Sequence, residues 1–172
     1  GKFEDSLNGW VISPDDGTFG GTMTIAAEAG RNGTNALLQD KVEGRRNYIY
    51  NDSTVVIEPN KMYEMTAYSK VTEYTGSPVA NITYWVPNTC AQFADYFAIP
   101  MTNEWSKTIS ATIIPPHNYT TALVELYATN NAGTTKIYWD DVTLNEVEVD
   151  TVNFTTGNNI VNMNVNDTAT TN

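Results

Sequence analysis

What most limits the folds open to this chain is its punctuation. Turn-forming residues recur every ten or so positions, and the stretches between them are rich in Thr, Val, Ile and Tyr. Breakers stand at Pro59-Asn60, Gly76-Ser77-Pro78, Pro87-Asn88, Pro115-Pro116 and 130–133. Between them the sequence predicts strands over 22–27, 36–39, 47–50, 54–57, 62–71, 79–86, 92–99, 106–114, 121–128 and 136–144. The one helix-like stretch, 26–31, is too short to matter. Many short strands without helices predict an all-β chain, a two-sheet antiparallel β-sandwich or jelly roll.

The 172 residues suffice for one domain with a real core, and 41% of them are hydrophobic. The charge balance, 9 − 20 = −11, speaks against nucleic acid and anionic membrane as partners. No apolar run approaches the roughly 20 residues of a membrane span. No signal peptide precedes Gly1-Lys2, as expected of a mature or trimmed secreted chain. Asn-X-Ser/Thr triplets begin at Asn32, Asn51, Asn81, Asn118, Asn153 and Asn166, which makes a glycoprotein an expectation for an extracellular chain. Cys90 has no second cysteine to pair with, and His117 is the single histidine. Triads and histidine-rich zinc sites are therefore unavailable, and no enzyme is expected. Composition shifts after Leu144, so residues 1–145 are read as the folded domain. Residues 146–172 are an Asn/Thr-rich extension in which Val152–Phe154 and 160–165 have strand potential.

Two motifs carry the chemistry. The first is Phe3-Glu4-Asp5 followed by Gly9-Trp10; the second is Ile137-Tyr138-Trp139-Asp140-Asp141-Val142-Thr143-Leu144. Asp140 and Asp141 stand in a strand where core residues are expected, so they need partners to offset burial. A cation held together with Glu4 or Asp5 is one partner. A turn cap, or a pairing with Arg31, is the other. Asp15 and Asp16, before Gly17, read as a turn or as a secondary metal site at a subunit contact. Tyr48, Tyr50, Tyr84, Trp85 and Tyr127 are candidates to stack on sugar rings, against the competing reading that they are ordinary strand and core residues.

In their order these motifs resemble the carbohydrate-binding-module jelly roll of the family 4/9/22 type. That pattern opens with Phe-Glu and Gly-Trp, matched by Phe3-Glu4 and Gly9-Trp10. It continues with a small-residue turn before an apolar strand, Gly33-Thr34-Asn35-Ala36-Leu37-Leu38. Asn60-Lys61-Met62-Tyr63 and Glu104-Trp105-Ser106-Lys107 follow, and Asp140 to Leu144 close it. The resemblance implies a structural Ca2+ held by Glu4 or Asp5, by a carbonyl near Asn32–Asn35, and by Asp140 or Asp141. It also implies core positions for Trp10 and Trp105. Such modules normally carry a strand upstream of Phe-Glu, where this chain has Gly1 and Lys2 alone. That leaves a sheet edge open to a strand from another copy.

Taken whole, the chain also resembles the extracellular, calcium-assembled cannula proteins of archaea from very hot water, in length, acidity and Asn/Thr richness. The first expectation is therefore a secreted calcium-binding subunit that joins copies of itself into tubes or filaments. The alternative is a non-catalytic module that binds polysaccharide.

Overall fold

The computed structural model describes residues 3–4, 6–12, 20–42, 47–51, 55–58, 61–76, 79–85, 94–110, 121–129 and 133–147, with 79–85, 94–96 and 129 by backbone alone. Asp5, Asp15, Asp16, Arg45, Arg46, Cys90, His117 and the extension from 148 onward lie outside the described residues.

Eleven strands are described: β1 (Trp10–Ile12), β2 (Gly21–Ala26), β3 (Ala36–Lys41), β4 (Asn47–Asn51), β5 (Val55–Val56), β6 (Met62–Tyr74), β7 (Val79–Trp85), β8 (Ala94–Ala98), β9 (Ser106–Ile109), β10 (Thr121–Thr129) and β11 (Thr135–Val147). They form two antiparallel sheets. The first runs β1-β4-β10-β7-β8, with β5 also on β10; the second runs β2-β3-β11-β6-β9. Each of the ten strands expected between 22 and 144 has a counterpart, while 111–114 of the 106–114 strand and the tail segments 152–154 and 160–165 lie outside the described residues. β1 was not expected: its three residues are too few to show alternation. In place of the short helix-like stretch there is a turn and a single 3-10 turn, Arg31–Gly33.

Strand alternation builds the core. In β4, Asn47 and Ile49 point inward while Tyr48 and Tyr50 are half-buried on the other side. In β10, Ala122, Val124, Leu126 and Ala128 are buried, and Glu125 and Tyr127 are half-buried. Leu37, Met65, Ala67, Val71, Ile137 and Trp139 supply the inner side of the second sheet. Burial on this scale contributes roughly 1.5–3 kcal/mol for each large side chain. Phe3 is fully buried and packs on Trp10, with ring centroids 5.4 Å apart.

The core also holds a polar set. The Trp139 indole N–H donates to Gln39 Oε1 at 2.7 Å. The Gln39 amide donates to the Asn47 carbonyl and side-chain oxygens, both at 2.9 Å. The Asn47 amide then reaches the Gly20 carbonyl. Each member has a partner, so the set ties the two sheets together without leaving an unpaired group.

Candidate functional site: an aromatic sheet face and a carboxylate clasp

Register brings the tyrosines together. Tyr48 lies directly opposite Tyr127, and Tyr50 opposite Glu125. Side chains at i and i+2 share a face, so Tyr48, Tyr50, Glu125 and Tyr127 form one patch on the side of the first sheet away from the core. The Tyr48 and Tyr50 rings stack with centroids 6.0 Å apart, and Tyr48 meets Tyr127 at 6.3 Å. The same register extends the face over Val11 of β1 and over Thr83 and Asn81 of β7.

Burial pushes the Glu125 carboxyl up from 4.5 to about 7. Near neutral pH it is a mixture of donor and acceptor forms, a useful property beside sugar hydroxyls. Sequence reasoning missed this residue. Glu125 stands alone among apolar neighbours in the sequence, and only pairing with Tyr50 places it in the patch.

Among residues described with their side chains, Tyr48, Tyr50 and Tyr127 converge, and Trp85 shares their parity in the register. Trp85 is opposite Leu123 and Tyr84 opposite Val124, and the Val124 side chain belongs to the core. The sheet thus separates Tyr84, at a core-facing register position, from the Tyr48–Tyr127 patch. Trp105 differs from its expected core position. It is half-buried outside the core cluster, and the Lys70 ammonium stands 5.3 Å from its ring.

A second assembly joins the two ends of the domain. Asp140 is 2% exposed, and its Oδ2 accepts the Arg31 backbone N–H at 2.9 Å. The Thr34 hydroxyl lies 3.1 Å from the same oxygen and 2.6 Å from the Arg31 carbonyl oxygen, so it shares its proton between them. Asp140 Oδ1 accepts the Asp141 N–H at 2.8 Å. Asp141 pairs with the Arg31 guanidinium at 2.8 Å, and that guanidinium lies 3.4 Å from the centroid of the Tyr68 ring. Glu4 Oε2 accepts the Asn35 N–H at 3.1 Å, and the Asn35 amide returns a bond to the Glu4 carbonyl.

A β-bulge produces the Asp140–Asp141 arrangement. Between Asp140 and Thr143, β11 advances three residues while β6 advances two. The extra residue lets Asp140 and Val142 both turn inward, with Asp141 in the left-handed region at φ 47°. Aspartate tolerates that conformation better than most side chains.

Where a cation was expected, Glu4 binds Asn35 and Asp140 binds Arg31 and Thr34, so each carboxylate holds its own part of the 31–35 segment; carboxylate oxygens are the ligand type that calcium prefers. The same oxygens already accept protein N–H and O–H groups. Among the described residues, no three acidic, histidine or cysteine side chains converge. Turn cap and Arg31 pair, the alternative partners for these carboxylates, are both present.

No family model matches the chain, and no curated protein matches it. Solved structures do. One is described as a family 16 carbohydrate binding module 2, with a TM-score of 0.61, 20% identity, and coverage of 85% of this chain and 96% of that one. Another is the CBM22-1 xylan-binding domain of Paenibacillus barcinonensis Xyn10C, with a TM-score of 0.61, 18% identity, and 87% and 93% coverage. A third is the CBM22-1–GH10 portion of Clostridium thermocellum xylanase 10B complexed with xylohexaose. It gives a TM-score of 0.64 at 16% identity and covers 84% of this chain but 27% of that longer one. At these identities the likeness is one of fold, a carbohydrate-binding-module β-sandwich.

Proposed function

We propose that this chain is a non-catalytic carbohydrate-binding module of an extracellular protein, and that its ligand lies across the Tyr48–Tyr50–Glu125–Tyr127 face. The observation that carries the reading is the register, which gathers three tyrosines and a half-buried carboxyl on the solvent side of one sheet. Aromatic faces suit the C–H-rich faces of pyranose rings, and Glu125 offers a hydroxyl partner beside them. The fold neighbours support the reading because they are carbohydrate-binding modules, two of them with xylan or xylohexaose in their descriptions. Xylan and its oligomers are the first ligands to try.

The test is affinity electrophoresis over a polysaccharide panel, followed by calorimetry on any hit. Tyr127→Ala should weaken binding at least tenfold and leave the melting temperature within a few degrees. A panel without a hit, or a hit indifferent to Tyr127→Ala, defeats the proposal.

Self-assembly is a second reading, and one observation favours it. Residues Trp139 and earlier in β11 pair with β3 as well as with β6, whereas Thr143 to Val147 pair with β6 alone among the described residues. Beside this edge a cleft of about 410 Å³ opens between the sheets, lined by Trp10, Val55, Val124, Val142 and Leu144. Asn51, Thr143 and Asn145 add polar groups to this largely apolar lining, and a cleft of this kind next to a strand edge unpaired among the described residues suits an added strand. Calcium at Glu4, Asn35 and Asp140 is a separate proposal. Attachment of Glu4 and Asp140 to the adjoining residues Asn35 and Thr34 supports it, and a bound ion would take the place of the hydrogen bonds those carboxylates now accept.

A further inference from the structure

The second sheet carries a different surface on its outer side. Lys70 lies opposite Tyr138, which lies opposite Leu38. Trp105 sits at the entrance to β9 beside Lys70. The Lys70 ammonium is 5.3 Å from the Trp105 ring centroid and 5.0 Å from that of Tyr138, so one cation stands between two half-buried aromatic rings. One row away, exposed Lys107 lies opposite Tyr68.

The ion pairs divide the positive charge on this side unevenly. Arg31 is matched by Asp141, and Lys136 by Glu73 at 3.0 Å. Among the described residues, Lys70 and Lys107 have no carboxylate partner. In a chain of net charge −11 this is an uncommon concentration of unmatched cations. The faces of the two rings attract the Lys70 ammonium without neutralising its charge.

We propose that this face is a second saccharide site, selective for an acidic sugar polymer. A uronate carboxylate would meet Lys70 and Lys107, and the same or an adjoining ring would lie on Trp105 or Tyr138. The chemistry needs both features: an apolar ring face for the aromatics and an anion for the lysines. A neutral glycan leaves the lysines unused, and a flat polyanion leaves the aromatics unused. The chain's overall negative charge opposes such a ligand at long range. At physiological salt the Debye length is about 8 Å, so the local cations dominate at contact. The site is on the opposite sheet from the Tyr48–Tyr127 patch and stands or falls independently of it.

Calorimetry of the full chain with galacturonate, mannuronate and glucuronate-bearing oligomers tests the proposal, with their methyl esters as neutral controls. The expected result is binding of at least one uronate series, tenfold or more weaker for its ester and for Lys70→Gln, and weakened by added salt. Lys70→Gln should keep the parent melting temperature, and Tyr127→Ala should bind the uronate as the parent does. Failure of every uronate series, equal binding of acid and ester, or binding unmoved by Lys70→Gln but lost with Tyr127→Ala would each overturn it.

Discussion

Glu125 is the residue whose behaviour most directly reports on the tyrosine face. Burial raises its folded value from 4.5 to about 7, so the folded state binds this proton more tightly than the unfolded state. Stability from this group therefore falls as pH rises through that interval, and the penalty is complete above both values. Allowing for its partly exposed position, the effect is roughly 1–3 kcal/mol. Glu125→Gln should accordingly melt higher than the parent at pH 8 and close to it at pH 4. Parallel melting curves for the two proteins from pH 4 to 8 would show that the carboxyl is not so perturbed. Asp140 makes the matching case for the clasp. Its removal strands the N–H groups of Arg31 and Asp141, at a cost of about 2–4 kcal/mol. If an ion also binds there, calcium should raise the parent melting temperature over that in chelator. Asp140→Ala should abolish this difference as well as lowering stability. Identical parent curves in calcium and chelator would remove the metal and leave the clasp purely hydrogen-bonded.

Strand positions were legible because alternation and breakers are local properties of the chain. Residues 36–39 and 136–144 read as strands from sequence and lie within β3 and β11. Bulges were not legible, since one extra residue on β11 has meaning only against the count on β6. A close approach at the start of β2 was hidden in the same way. Gly21 has φ 123°, and a Cβ added there would stand 2.1 Å from the Asp40 carbonyl oxygen of the neighbouring strand. Backbone cannot yield as a side-chain tip does. Gly21→Ala should therefore cost roughly 2–4 kcal/mol, read as a lowered denaturant midpoint. A variant as stable as the parent would mean that β2 detaches from β3 at little cost.

For the whole molecule, charge and open edge act in opposite directions. A net charge of −11 keeps copies apart at low ionic strength. Under the self-assembly reading, the part of β11 that pairs with β6 alone among the described residues, and the cleft beside it, would favour contact once that repulsion is screened. Light scattering of the chain with and without millimolar calcium separates the two functional readings. Calcium-dependent growth supports strand addition, and a monomer under both conditions removes it while leaving the carbohydrate reading intact.

By itself the sequence determined the fold class and most of the strand positions. Each of these is written in periodicity or in an ordered set of motifs. Tertiary structure alone decided which side chains share a surface. Tyr48, Tyr50 and Tyr127 became one patch, with Glu125 inside it, because β4 and β10 pair in a single register. Tyr84 took the register position opposite core-buried Val124, and Trp105 moved out to meet Lys70. A one-residue slip in pairing exchanges the two faces of a strand, so face assignment depends on partners far away in the chain.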